Sequence, residues 1–266
     1  MNKMILLLLF ITVADVEAAR RIVASRDAYL NEFPFAASWG FLNRKLNKYR
    51  HMCTCSILSP TWTLSAGHCV DGLPNNISTV IRYSSHLPSV SGMYSGVLQI
   101  ITHPRYHTDT LQYDICLFKT EPINITQYAT ISAVDHTTLI GHEAVALGYG
   151  ITNDSATLHD TMTLNKPLQV MNALLIRCSG DETIFPLITV CVTPKCDEIA
   201  TLTKGDSGGP IIHKSGIVGV TSWGMRQVNT KKSFKKHHKH YMPFASSGVI
   251  TVLSSSIDWI SSVTSN

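Results

Sequence analysis

Short apolar segments alternate with turn-forming residues through most of the chain. They are rich in Val, Ile, Thr and aromatic residues, and clusters of Gly, Pro, Ser and Asn separate them. The clearest are TVIRY (79–83), GVLQIITH (96–103), AVALGYG (144–150), LITVCVT (187–193) and GIVGVTSWG (216–224). Such spacing is typical of strands in sandwiches or barrels, so the pattern predicts an all-β protein.

One segment near the C-terminus has a helical pattern instead. In SSSIDWISSV (254–263), Ile257, Ile260 and Val263 recur every three residues, and a serine is available as an N-cap. No internal repeat of 20 to 50 residues and no Gly/Ser-rich or Pro-rich linker divides the chain. We therefore expect a β-rich globular chain with one C-terminal helix.

The first residues read as a targeting segment. Lys3 precedes an apolar run from Met4 to Val13, and small residues follow at Ala18 and Ala19. The run is too short to span a bilayer, and no later segment holds eighteen consecutive apolar residues. The pattern predicts a signal peptide over residues 1–18 and a secreted, extracellular protein without a membrane span.

Composition agrees with a folded, secreted protein. The 266 residues are 44% hydrophobic and 15% charged, which allows a sizeable core and excludes a disordered chain. Seven cysteines fit an oxidising compartment better than the cytosol, and sequons at Asn76, Asn124 and Asn153 are compatible with a glycosylated surface. These features exclude cytosolic and nuclear roles, so we expect no nucleic-acid partner.

The segment GDSGGP (205–210) is the first candidate for chemistry. Ser207 lies between an aspartate and two glycines, and a third glycine stands at Gly205. Three glycines within five residues indicate a backbone with unusual dihedrals or one that another group approaches closely. Taken alone, the segment is also compatible with a glycine-rich turn that has no catalytic role.

Two upstream residues complete a catalytic set around this serine. A serine hydroxyl is a poor nucleophile unless a base accepts its proton and a third group orients that base. His68 follows an apolar strand segment in TWTLSAGHCV, and Asp114 interrupts the apolar segment YDICLF. A lone buried aspartate is costly unless a donor such as an imidazole N–H satisfies it. The residues therefore predict a nucleophile, its base and an orienting acid.

The segments LSAGHC, DICL and GDSGGP, in this order, resemble the signature segments of the chymotrypsin-like (trypsin-like) serine proteases. RIVAS (21–25) and TSWG (221–224) extend the resemblance from Ile22 to the C-terminal helix around Trp259. The resemblance implies an all-β fold of two six-stranded antiparallel β-barrels packed side by side, with a C-terminal helix. It also implies a secreted serine endopeptidase.

The resemblance assigns a role to each residue of the set. His68 would act as general base, Asp114 would orient it, and Ser207 would attack the peptide bonds of polypeptide substrates. The backbone N–H groups of Gly205 and Ser207 would form the oxyanion hole. No cofactor and no metal is implied, and we expect a monomer.

Activation is implied as well. A trypsin-like protease would cut between Arg21 and Ile22, and the new ammonium of Ile22 would pair with Asp206. Residues 19–21 would then be a short propeptide, and 22–266 the protease domain. The family usually has two glycines after the Ile-Val pair, whereas this chain has Ala24 and Ser25.

The resemblance also implies two disulfides, Cys53–Cys69 and Cys178–Cys191. A third bridge that is frequent in the family has no cysteines here. Cys55, Cys116 and Cys196 remain. They are either small buried residues or free thiols, or Cys55 and Cys116 form a bridge between the histidine and aspartate segments.

The substrate pocket is the least defined part of the prediction. The family's pocket positions correspond to Thr201, Ser222, Gly224 and Gly248, and trypsin-like members carry an aspartate where this chain has Thr201. A hydroxyl cannot pair with a Lys or Arg of the substrate, so we expect a preference for bulky apolar residues. Leu202, next to Thr201, would make the pocket shallower.

A basic segment lies beside these pocket positions. Six of the 22 Lys and Arg residues fall between 225 and 247, where no Asp or Glu occurs. Its centre, residues 231–241, is either a solvated insertion or a patch for an acidic surface or glycan. A metal site at His237, His238 and His240 is disfavoured by the lysines around it. A protease-like binding or regulatory protein without activity remains the alternative function.

Overall fold

A computed structural model describes residues 25–46, 48–74, 77–84, 92–150, 167–178, 190–195, 200, 202–224 and 248–265. In these ranges the chain forms thirteen strands and a single α-helix, which confirms the all-β prediction. The five apolar segments named above each contribute to one strand. Ile22, Thr201, Cys196, Asn76, Asn153 and the basic segment 231–241 lie outside the described residues.

The first barrel is closed and fully antiparallel. Its strands pair in the order β2-β3-β4-β7-β6-β5, and β5 returns to β2. The six strands are β2 (Ala36–Asn43), β3 (Lys48–Ser59), β4 (Trp62–Ser65), β5 (Val80–Tyr83), β6 (Met93–Thr102) and β7 (Cys116–Thr120).

The second barrel is also antiparallel and has six strands. Their order is β9-β10-β13-β12-β11-β8, and the pairing of β8 with β9 closes the barrel. The strands are β8 (Glu143–Gly148), β9 (Gln169–Arg177), β10 (Val190–Pro194), β11 (Pro210–His213), β12 (Gly216–Gly224) and β13 (Gly248–Val252). A short strand, β1 (Arg26–Asp27), adds to the edge of β9.

A shared core holds the barrels side by side. One apolar cluster joins Leu64 and Leu117 of the first barrel to Leu147 and Val220 of the second. Removal of apolar side chains from water at such an interface stabilises the folded protein by about 25 cal/mol for each Å² of apolar surface that is buried. The barrels therefore pack as one body, and the groups at their junction are held in fixed positions.

The C-terminal segment forms the predicted helix. A 3-10 turn at Ser254–Ser256 leads into α1 (Ile257–Thr264), and Ile260 joins the shared core. Within the described chain, the Ser256 side chain makes no capping bond, so the cap expected from the sequence is not formed. The described residues include no helix of the length and apolar character that crossing a membrane requires.

Candidate active site

His68 and Asp114 face each other across the rim of the first barrel. β4 ends at Ser65 and passes into a 3-10 turn, Gly67–Val70, that carries His68, while Asp114 lies two residues before β7. The His68 backbone N–H donates to Asp114 Oδ1 at 2.7 Å, and its Nδ1 lies 2.7 Å from Oδ2. The Asp114 side chain is fully buried, whereas that of His68 is 26% exposed.

A residue of the second barrel completes the environment of this carboxylate. The Ser222 hydroxyl on β12 donates to Asp114 Oδ2 at 2.5 Å. Asp114 therefore accepts three hydrogen bonds, as an ionised carboxylate that carries no proton does. Because Oδ2 accepts the proton on Nδ1, the Nε2 lone pair of His68 is free to act as a base.

Ser207 is held between the two barrels in the loop before β11. Its carbonyl accepts the Thr54 N–H of β3 at 2.9 Å, and the next amide, Gly208, donates to the Thr221 carbonyl of β12 at 2.7 Å. Thr221 directly precedes Ser222, which bonds Asp114. The loop is thus hydrogen-bonded to one strand of each barrel, and the Ser207 side chain stays partly exposed.

Gly208 explains part of the glycine pattern in this loop. Its φ of 76° lies in the left-handed region, and a Cβ there would overlap Ser65 Oγ and the Thr54 carbonyl. Ser65 is three residues from His68, so this close approach brings the serine loop against the histidine turn. The structure thus brings His68 and Asp114 into contact and places Gly208, the residue after Ser207, against Ser65 and Ala66 just before the histidine turn; among the described residues, no hydrogen bond joins His68 to Ser207.

Two amides in the same loop differ from their neighbours in their hydrogen bonds. The N–H groups of Asp206, Gly208 and Gly209 each donate to a backbone carbonyl. Among the described residues, those of Gly205 and Ser207 donate to no acceptor. The Gly205 carbonyl, in contrast, accepts from Thr54 Oγ1 at 2.8 Å and lies 3.0 Å from His51 Nε2. These bonds fix the backbone of the serine loop at Gly205.

The sequence did not indicate His51 and Thr54 as parts of this site. His51 is 4% exposed, and its Nδ1 lies 2.6 Å from Ser38 Oγ inside the first barrel. Thr54 also accepts the Tyr149 N–H, so its hydroxyl joins the two barrels. The available signal was a buried polar residue in an apolar strand, the same signal that drew attention to Asp114.

Asp206 is completely buried below the serine loop. Its Oδ1 accepts the Gly150 N–H at 2.6 Å, and its Oδ2 accepts the Thr203 N–H at 2.7 Å. A Cβ on Gly148 or Gly150 would overlap this carboxylate, which accounts for glycine at both positions. Backbone N–H donors therefore hold both oxygens of this carboxylate in the core.

The candidate pocket is described in part. Ser222 and Gly224 lie on β12, and Gly248 begins β13, directly opposite Gly224 in the register. A Cβ on Gly248 would overlap the side chain of Leu202, which is 6% exposed. The space beside Gly248 is therefore occupied by the apolar side chain of Leu202.

The structure contains the disulfides Cys53–Cys69 and Cys178–Cys191. Cys55 and Cys116 are free, buried thiols, so a bridge between them is not formed. Burial raises the pKa of both thiols well above the usual range. The sulfurs of Cys53 and Cys69 lie near His68, but they are bonded to each other and offer no thiolate for a metal.

Comparison with known proteins gives consistent matches. The family model described as Trypsin matches residues 22–245. Trypsin from Sus scrofa is 27% identical over 213 residues, which cover 77% of this chain and 84% of that protein. Trypsin theta from Drosophila melanogaster is 29% identical over 223 residues, which cover 78% of each chain.

Proposed function

Because the chain belongs to the trypsin family, we propose that it is a secreted serine endopeptidase that hydrolyses peptide bonds through an acyl-enzyme. Ser207 is the nucleophile, His68 the general base and Asp114 the group that orients the base. The observation that carries the proposal is the bond between His68 Nδ1 and the buried Asp114, beside a serine loop pinned to both barrels.

The geometry supports a defined order of proton transfer. His68 Nε2 accepts the Ser207 proton while Oγ forms a bond to the substrate carbonyl carbon. Asp114 stabilises the resulting imidazolium without taking its proton. The proton then passes to the leaving amine as the C–N bond breaks, and water releases the acyl group by the same steps.

The free amides of Gly205 and Ser207 would stabilise the oxyanion in both steps. Each such donor typically lowers the barrier by about 3 kcal/mol, because it is already oriented before charge develops. Thr54 and His51 support this role, since they hold the Gly205 carbonyl.

The proposal includes synthesis as an inactive precursor. Cleavage between Arg21 and Ile22 by a trypsin-like protease would create the ammonium that pairs with Asp206. The burial of this carboxylate supports the pairing, because a buried anion gains most from a cationic partner.

The preferred residue on the acyl side of the cleaved bond is bulky and apolar. The apolar surface of Leu202 beside Gly248 supports this choice. Burial of a large apolar side chain of the substrate contributes about 1.5 to 3 kcal/mol to the binding free energy, whereas burial of an unpaired cation costs several kcal/mol.

Digestion of a peptide library tests the activity and the preference together. The secreted protein is treated with trypsin, the N-terminus at Ile22 is verified by sequencing, and the trypsin is then inhibited. We expect cleavage after Phe, Tyr, Leu or Met, and none with the matched Ser207→Ala protein. Absence of cleavage by a folded protein that begins at Ile22 would favour the inactive, protease-like alternative. Cleavage mainly after Lys or Arg would contradict only the preference.

A further inference from the structure

Two histidines meet at the end of the second barrel that lies away from Ser207. His142 directly precedes β8, His213 ends β11, and these strands are paired. The opposite ends of both strands lie at the active site, where Gly148 contacts Asp206 and Pro210 follows the serine loop. The three residues from Pro210 to His213 extend about 10 Å, so the pair is separate from the catalytic centre.

We propose that His142 and His213 form a binding site for a divalent transition-metal ion of the zinc type. The Nδ1 atom of His142 lies 3.3 Å from the Nε2 atom of His213. With Zn–N bonds of about 2.05 Å, this separation gives an N–Zn–N angle of about 107°, close to tetrahedral. Little movement is therefore needed for both nitrogens to bind one ion.

The relative orientation of the rings supports convergence on an ion. Their centroids lie 5.3 Å apart, and their planes are inclined by 46°. Two rings that share a tetrahedral zinc ion at this nitrogen separation have centroids about 5.2 Å apart, whereas a straight N–H···N bond places them about 5.6 Å apart. The observed ring separation thus allows both nitrogens to face one ion.

The surroundings of His213 favour its role as a ligand. The side chain is 8% exposed, and its Nδ1 lies 2.8 Å from Ser215 Oγ, which is itself 2.6 Å from Ser132 Oγ. A hydrogen bond to the other ring nitrogen orients the ring in histidine–metal sites.

Metal uptake requires no redox step and no net loss of a proton. In the metal-free pair the Ser215 N–H donates to His213 Nδ1 at 3.4 Å, so His213 carries its proton on Nε2 and donates it to His142 Nδ1. When the ion binds, this proton moves from Nε2 to Nδ1 of His213, where Ser215 Oγ accepts it; His142 keeps its proton on Nε2, which its exposed side chain presents to water, and both facing nitrogens donate lone pairs. Imidazole ligands select Zn²⁺, Cu²⁺ or Ni²⁺ over Ca²⁺, which prefers oxygen. The bound ion would join the ends of β8 and β11.

Calorimetric titration with ZnCl₂ tests the site. The parent is the chain from Ile22 onward with His68→Ala, His237→Gln, His238→Gln and His240→Gln, which removes the histidine beside the disulfide and the cluster in the basic segment as competing zinc ligands. We expect His142→Gln to weaken zinc binding at least tenfold and His107→Gln, at another exposed histidine, to leave it unchanged. A free zinc concentration of ten times Kd should raise the Tm of the parent by about 3 to 6 °C. The same concentration of calcium should leave the Tm unchanged.

The metal-free Tm of each variant shows whether it is folded, and His142 is exposed, so its replacement should change this value by less than about 2 °C. His213→Gln provides a second test from the other ligand. Equal zinc affinity in the parent and His142→Gln, or an equal loss in His107→Gln, would overturn the proposal.

Discussion

Replacement of Asp114 by asparagine should abolish most of the activity while it preserves the shape of the site. The carboxylate accepts the His68 backbone N–H at one oxygen and both His68 Nδ1 and the Ser222 hydroxyl at the other. Asparagine offers one acceptor oxygen and one NH₂ donor. In the asparagine variant, the NH₂ group must take the place of either Oδ1 or Oδ2. At either place it faces a group that already donates a proton.

The two orientations of the amide have different costs. If NH₂ faces the backbone N–H of His68, a buried donor is left without an acceptor, at a cost of about 1 to 3 kcal/mol. If NH₂ faces Nδ1 of His68, the ring can accept this N–H only when its own proton is on Nε2. The Ser222 hydroxyl must then rotate, because it has lost its acceptor. That tautomer cannot accept the Ser207 proton. We expect kcat to fall about 10³- to 10⁴-fold, the range for an incorrectly set histidine tautomer.

The assay is hydrolysis of a chromogenic peptide with Phe at the cleaved position, by protein that begins at Ile22. Asp258→Asn is the matched control, because Asp258 is exposed on α1. Thermal unfolding of both variants verifies that they are folded. A kcat within twofold of the parent for a folded Asp114→Asn protein would refute the role of Asp114 in orienting His68.

Three further predictions concern the pocket, the free thiols and acid stability. Leu202→Gly should raise kcat/KM for Trp at the cleaved position relative to Leu, because it removes the side chain beside Gly248; an unchanged ratio would exclude Leu202 from the pocket. Cys55 and Cys116 should resist iodoacetamide in the native protein and react in denaturant, because burial raises the pKa of both thiols; rapid native alkylation, read by peptide mass spectrometry, would contradict this. The free energy of unfolding should fall as the pH drops below about 6.5, since burial lowers the pKa of His103 and the unfolded chain binds the proton more readily. A pH slope unchanged in His103→Gln would show that His103 is not involved.

The sequence predicted the strands, and it singled out His68 and Asp114, which the structure brings into contact, because both leave local signals. Apolar segments such as AVALGYG coincide with strands, here β8. Asp114 and His68 were recognisable as costly polar residues in apolar segments, each within a short motif. The order of the three motifs then predicted the barrels, because the resemblance extended over nearly the whole mature chain.

Contacts between distant segments could not be predicted in this way. Thr54 and Gly205 are separated by 151 positions, and only the packing of the barrels brings them together. His142 and His213 likewise meet through the pairing of β8 with β11, and neither lies in a recognisable motif. The serine cap of α1 was plausible by composition, but the preceding 3-10 turn gives Ser256 a different backbone conformation.

The central claim is that Ser207 is a nucleophile activated by His68, and a fluorophosphonate probe tests it most directly. Such a probe forms a covalent bond to an activated serine oxygen, and peptide mass spectrometry locates the adduct. In protein that begins at Ile22, we expect one adduct on Ser207, with labelling at least 100-fold slower in His68→Ala. An adduct on another serine, no adduct in the folded protein, or an unchanged rate in His68→Ala would contradict the account.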